Sequence, residues 1–155
     1  MTRHAIVDLP DEAATLALGE RLGARLRSGD VLALVGDLGA GKTCLARGVA
    51  RGLRVADPDA VASPTYLLVV EHDGPLPMIH ADAYLPAKLK AFLDDGGAAW
   101  LLERGGVVVV EWADKVAALL PERRITVRLA PRSDGRPGRR AEIDGPDELD
   151  WLAHV

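Results

Sequence analysis

The sequence predicts an α/β fold: a central parallel sheet extended by antiparallel strands, with helices packed on both faces. Two short, wholly apolar runs, VLALV at residues 31–35 and VVVV at 107–110, read as strands covered on both sides. Helical patterns alternate with these runs instead of following them in a block, which is the mark of α/β layering. Hairpin-like connections at residues 71–75 and 131–138 put antiparallel strands at the flanks. The chain has 155 residues, which fits one compact domain over residues 1–155.

Taken in order, residues 5–9 read as a short strand. Pro10, Asp11 and Glu12 then open a helix, with proline early and acids where the helix dipole is positive. Ala14, Leu18, Leu22 and Leu26 recur every fourth residue and carry that helix to about Arg27. Ser28-Gly29-Asp30 supplies the turn that ends it. The strand at 31–35 leads into a glycine-rich loop and a helix over 43–53. Residues 56–64 are polar and carry proline, hence loop. Residues 66–70 and 77–81 read as strands joined by the turn at 71–75. A helix over 86–95 stops at Gly96-Gly97, and 98–103 gives a further turn or two. After the valine run, 113–120 reads as helix, and 124–129 as a strand alternating apolar and basic residues. Residues 141–143 pair back across the charged turn at 131–138. Gly145-Pro146-Asp147-Glu148 starts a last helix.

A net charge of −4 argues against a protein that grips nucleic acid by bulk phosphate neutralisation. It leaves open a nucleic-acid pathway reached through a protein partner. One cysteine, Cys44, makes no internal disulfide, and no run reaches the roughly 18 apolar residues of a membrane span. Both features point to a cytoplasmic protein with no membrane partner.

Gly36-Asp37-Leu38-Gly39-Ala40-Gly41-Lys42-Thr43 fits G-x-x-x-x-G-K-[ST] without a mismatch. The glycines let the loop curl so that backbone N–H groups, with those of the following helix, cradle phosphates. Lys42 supplies a point charge for β and γ oxygens, and Thr43 a hydroxyl for magnesium. A buried strand before the loop and a helix after it are the context this P-loop needs. Such a loop also calls for an acid at the end of a neighbouring strand. Glu111 follows the valine run, and Asp82 follows Met78-Ile79-His80-Ala81. Spacing assigns neither acid to the metal and neither to the attacking water; a helix cap or a surface charge is the plainer alternative for each. Thr65, in Ser63-Pro64-Thr65, has the hydroxyl of a switch segment that reaches a γ-phosphate or its metal, and equally the chemistry of a common turn.

Other residues have plainer readings. His80 stands two residues before Asp82 and is either a satisfied structural histidine or the residue that orients Asp82. The four histidines, at 4, 72, 80 and 154, show no zinc-like spacing. Trp100 and Trp151 are expected to pack on the core. The arginines at 132, 136, 139 and 140 form a solvated hairpin tip or an electrostatic contact to a partner, tRNA or nucleotide. Three functions fit: a slow, partner-controlled ATPase, a small-molecule kinase, and a nucleotide-dependent scaffold. No arginine-bearing lid follows the strand ending at Glu111, which weighs against the kinase.

In order and spacing these residues resemble the TsaE family, the ATPases of bacterial tRNA threonylcarbamoyladenosine biosynthesis. The P-loop is similar to the family's own version, Ser63-Pro64-Thr65-Tyr66 to its S-P-T-[FY], His80-Ala81-Asp82-Ala83-Tyr84 to H-x-D-x-Y, and Glu111-Trp112 to its E-W pair. Glu12 and Thr15 resemble an N-terminal E-x-x-T, and Gly138-Arg139 gives a weaker match. The resemblance implies a P-loop fold with a mixed sheet and ATP hydrolysis to ADP coupled to a TsaB–TsaD complex. That complex installs threonylcarbamoyl on adenosine 37 of tRNAs reading ANN codons, so tRNA is met indirectly. It further implies magnesium on Thr43 and Glu111 with Asp82 alongside, and Thr65 near the γ-phosphate. Trp112 would support the nucleotide site or partner surface, and Glu12, Thr15, Cys44 and Arg139 would stand near the nucleotide. Two positions depart from the family: Leu85 stands where arginine is usual, and Cys44 replaces a second threonine as a small residue on the first helical turn.

Overall fold

The computed structural model describes residues 2–155, and these build one seven-stranded mixed sheet. Its strands are β1 (Thr2–Leu9), β2 (Val31–Val35), β3 (Val69–His72), β4 (Met78–Asp82), β5 (Val107–Glu111), β6 (Ile125–Pro131) and β7 (Arg139–Pro146). They lie in the order β1-β7-β6-β2-β5-β4-β3. The four central strands, β6-β2-β5-β4, are parallel; β7 and β3 run antiparallel to their neighbours. The helices are α1 (Glu12–Gly23), α2 (Lys42–Gly52), α3 (Pro86–Phe92) and α4 (Ala98–Glu103).

Period-two alternation sorts the central strands onto two cores. Leu32, Leu34, Val107 and Val109 face α1 and α2, while Val31, Ala33, Val108 and Val110 face α3, α4 and the 3-10 segment Ala113–Leu119. Both faces of β2 and β5 are therefore covered, as their unbroken apolar runs require. The edge formed by β6, β7 and β1 is covered on one face only. Ala141 and Ile143 are buried beneath that cover, and Ile6 points outward at 56% exposure.

Helices α1 and α2 meet backbone to backbone through glycines. A Cβ on Gly19 would lie 2.5 Å from the Leu45 carbonyl, and one on Gly48 would lie 2.4 Å from the Leu16 carbonyl. Neither neighbour is a flexible side chain, so the helices would have to separate. Gly48→Ala is expected to destabilise the fold by about 1–3 kcal/mol, the range for overpacking. At this chain length that corresponds to a melting point lower by roughly 3–10 °C in a thermal scan. An unchanged melting point would show that the two helices have room to move apart.

Several element boundaries differ from the sequence reading. The first helix ends at Gly23, short of Arg27; a looser turn, with Leu26 N–H donating to the Leu22 carbonyl at 3.1 Å, keeps Leu26 in the core. β1 begins earlier than residue 5, at Thr2, because β7 offers a full-length antiparallel partner. Residues 66–68 are a turn and not the start of a strand. Leu68 has φ 64°, and its N–H donates to the Pro64 carbonyl at 2.7 Å. Residues 113–119 form a 3-10 segment broken at Val116, and the last helix is only a 3-10 turn, Asp150–His154, too short to nucleate an α-helix. Trp100 is 41% exposed, resting edge-on against Phe92 and under Arg104, so it does not pack in the core; Trp151 does pack against it. Among the described residues no helix is long and apolar enough to cross a membrane.

Candidate functional site

The glycine-rich loop leaves the carboxyl end of β2, the strand whose neighbours β5 and β6 lie on opposite sides of it. In an open α/β sheet the crevice beyond the strand ends at such a point is where ligands bind. Gly39 and Gly41 adopt positive φ, 79° and 105°, so a side chain at either would be strained. Gly41 is also the N-cap of α2, and no side chain caps that helix. The amides of Lys42, Thr43 and Cys44 have no carbonyl one turn earlier within α2 and stand at its positive end.

Lys42 is 5% exposed, and its ammonium donates to the carbonyls of Gly36 at 2.6 Å and Asp37 at 2.8 Å. The face of the Trp112 indole lies 3.9 Å from it. Burial lowers the Lys42 pKa below the ordinary lysine value, and the charges of Glu111, Asp82, Asp114 and Asp37 oppose that shift. Trp112 reaches this position because its own backbone turns left-handed, φ 56°, directly after β5 ends. Tyr84 stands against it with ring centroids 5.3 Å apart.

β4 and β5 deliver the two acids. They pair in parallel, Asp82 opposite Glu111, and both side chains fall on the face that carries α2. The two carboxylates are then used differently. Glu111 takes a hydrogen bond from the Thr43 hydroxyl on Oε1, 2.8 Å, and one from His80 Nε2 on Oε2, 2.6 Å. Asp82 turns to the loop before β3: Oδ2 accepts from Ser63 Oγ at 2.7 Å and Thr65 Oγ1 at 3.4 Å, and Oδ1 accepts from the Tyr84 N–H at 2.7 Å. His80 therefore orients Glu111 and not Asp82. Glu111 lies diagonally across from His80, beside Asp82, and its longer side chain reaches back to the imidazole while the shorter Asp82 is taken up by Ser63 and the Tyr84 N–H.

The cleft so formed has a volume of about 490 Å³, and Lys42, Thr43, Thr65, Tyr84, Glu111 and Trp112 are among its walls. A smaller hollow of about 200 Å³ adjoins it across Gly39 and Gly41, lined by Asp11, Glu12, Thr15, Cys44 and Arg139 among others. Arg139 donates to the Gly39 carbonyl at 3.1 Å, tying the start of β7 to the loop. Leu38 lies 81% exposed at the cleft, and Ala40 is buried beneath it. Cys44 donates weakly to the Glu12 carbonyl at 3.7 Å, and burial pushes its thiol pKa up, so it is a packing residue on the first turn of α2. The arginines of the β6–β7 turn are largely paired within the chain, Arg132 and Arg140 with Asp8 and Arg136 with Asp134. Of the site residues expected from sequence, Glu12, Thr43, Thr65, Glu111 and Trp112 line the cleft with the loop, Thr15 and Arg139 line the hollow beside it, and Asp82 is buried behind Ser63 and Thr65. The residue underrated from sequence was His80, whose signal was its two-residue spacing from Asp82.

The donor set suits a hard cation beside phosphate: a threonine hydroxyl and a carboxylate oxygen 2.8 Å apart, next to a buried ammonium and uncapped amides. A buried strand, a glycine-rich turn and a helix end facing an acid on the neighbouring strand define the P-loop NTPase fold class. In agreement, the crystal structure of Bacillus subtilis YdiB superposes with a TM-score of 0.76 at 27% identity, covering 98% of this chain and 93% of that one.

Sequence comparison goes further. The profile for "Threonylcarbamoyl adenosine biosynthesis protein TsaE" matches residues 9–141, and the chain belongs to that family. Among curated relatives, "tRNA threonylcarbamoyladenosine biosynthesis protein TsaE" of Treponema pallidum is 39% identical, over 78% of this chain and 87% of that protein. The protein of the same name from Mycobacterium bovis is 41% identical, over 83% and 80%. That from Bacillus subtilis is 36% identical, over 81% and 75%.

Proposed function

We propose that this protein is the ATP-binding and ATP-hydrolysing subunit that supports N6-threonylcarbamoyladenosine formation at position 37 of tRNA, acting in the cytoplasm with TsaB- and TsaD-like partners. The observation that carries the reading is the convergence of Lys42, Thr43 and Glu111 at the amide end of α2. Family membership supports the pathway, and the relatives' names supply the modified nucleoside.

In this reading the α2 amides and Lys42 hold the β- and γ-phosphates, with Lys42 placed by the Gly36 and Asp37 carbonyls. Thr43 and Glu111 would hold magnesium, which supplies charge neutralisation on the phosphate oxygens when bound. Glu111, as the buried carboxylate nearest the loop, accepts a hydrogen bond from the attacking water and keeps it in line. Asp82 ties down the loop carrying Ser63 and Thr65, which brings the Thr65 hydroxyl to the cleft wall. Trp112 and Tyr84 shield one side of the phosphate site from water.

The test has two parts. ATP with magnesium at 100 times its dissociation constant should stabilise the fold by about 2.7 kcal/mol. For a chain of this length that is a rise in melting point of roughly 5–10 °C. Phosphate release should then be slow for the protein alone and faster with the partner complex. ADP production that depends on a small-molecule acceptor would instead indicate a kinase, and no thermal shift would overturn the site itself.

A further inference from the structure

We propose that His80 is a positioning residue for Glu111: its imidazole fixes the plane of the carboxylate, so that Oε1 stays against Thr43 and toward the phosphate loop. The inference deepens the functional reading above and rests on it.

Three observations lead there. The first is that Glu111 is anchored at both ends of its carboxyl group, by Thr43 on Oε1 at 2.8 Å and by His80 on Oε2 at 2.6 Å. A carboxylate held by one donor can still rotate about its last torsion; held by two on opposite oxygens, it cannot. Because an ionised carboxylate only accepts, the imidazole facing it donates from Nε2; Nδ1 has no protein partner among the described residues.

The second is that the anchor itself has nowhere to go. His80 is fully buried in the middle of β4, with Val70 of β3 and Val109 of β5 as its register partners. The third is chemical. The same face of the sheet is lined by Met78, Val107 and Val109, so an apolar side chain of similar volume would fill the space without burying two ring nitrogens. What an apolar side chain would lack is the donor to Oε2.

Two variants separate positioning from packing. His80→Leu keeps bulk and removes the donor; His80→Gln returns an N–H donor near the Nε2 position. For each, kcat and KM for ATP are measured with magnesium, and the affinity for a fluorescent ADP analogue is measured in EDTA and again with magnesium. Loss of a group that orients a metal ligand typically costs 10- to 100-fold in metal affinity or activity. His80→Leu is therefore expected to lose roughly that much in kcat, or in the gain of ADP affinity on adding magnesium. Its affinity in EDTA should stay within about threefold of the parent, and His80→Gln should recover most of the loss. Should His80→Leu fail to fold, His80→Asn, whose donor is too short to reach Oε2, replaces it in the same comparison.

The inference is overturned if leucine or asparagine retains parental kcat and magnesium response, or if affinity in EDTA falls as far as turnover does. It is also overturned if glutamine is no better than leucine. A parent protein that binds magnesium–nucleotide without turnover would defeat the ATPase reading while the magnesium response still decides the role of His80. A parent that binds no nucleotide would defeat both.

Discussion

Lys42→Ala is expected to lose ATP affinity by at least about 100-fold, close to 2.7 kcal/mol of binding free energy, while its melting point moves by only a few degrees. The ammonium is the single cation buried at the loop among the described residues, fixed by the Gly36 and Asp37 carbonyls and by the Trp112 face. Its removal takes a preplaced charge from the phosphates and leaves them the α2 amides alone. Two effects on the free protein oppose each other. The carbonyls of Gly36 and Asp37 lose a donor, which costs stability where water does not replace it. A desolvated charge disappears as well, which relieves the burial that lowers the Lys42 pKa.

The same shift sets a pH dependence. Because the folded pKa lies below the ordinary lysine value, the folded chain releases this proton earlier than the unfolded chain as pH rises. The burial penalty is thus present in full below the folded pKa and is relieved between there and the unfolded value. Triphosphate affinity should fall on the alkaline side as Lys42 loses its charge. Melting scans across pH check the first statement and fluorescent-nucleotide titrations the second; affinity in Lys42→Ala within fivefold of the parent would remove Lys42 from the phosphate site.

Much of this arrangement was legible in the residues because the chemistry is local. A loop that must curl needs glycines at fixed places, and a strand buried on both faces needs an apolar run; both leave marks in consecutive residues, at 36–43, 31–35 and 107–110. What depends on which strand lies beside which leaves no such mark. Residues 66–68 look like a strand, yet Tyr66 and Leu67 are 88% and 75% exposed, and the chain turns at Leu68 to pass its carbonyl to the Asp82 N–H. His80 was matched in sequence to Asp82, its neighbour along the chain. Only the parallel pairing of β4 with β5 brings Glu111 onto the same face, one diagonal step away, where its longer side chain meets the ring. The division of labour between the two acids follows from the same pairing. Opposite each other in register, they differ because Ser63, Thr65 and the Tyr84 N–H occupy Asp82.

That division makes Glu111 the residue whose loss should separate chemistry from binding. Glu111→Gln keeps the shape of the side chain and leaves a carbonyl oxygen for the Thr43 hydroxyl. Its amide can meet His80 once the ring carries its hydrogen on Nδ1 instead of Nε2. That tautomer leaves the buried Nδ1–H without a protein acceptor, so the fold should hold at a cost of about 1–3 kcal/mol. Turnover should fall by roughly 10²- to 10⁴-fold, the usual cost of removing a group that handles a proton at the reacting atoms. Affinity for ADP in EDTA should stay within a few-fold, because Lys42 and the α2 amides are untouched. Glu111→Ala should spare binding more than turnover in the same way, at some cost in stability, since it leaves the buried His80 Nε2 and the Thr43 hydroxyl without their acceptor. Single-turnover phosphate release beside equilibrium nucleotide titration distinguishes the outcomes. If affinity with magnesium falls along with turnover in the glutamine variant while affinity in EDTA holds, Glu111 works by holding the metal, and the water must be oriented from elsewhere; Thr65, whose hydroxyl also lines the cleft wall, is the next residue to test.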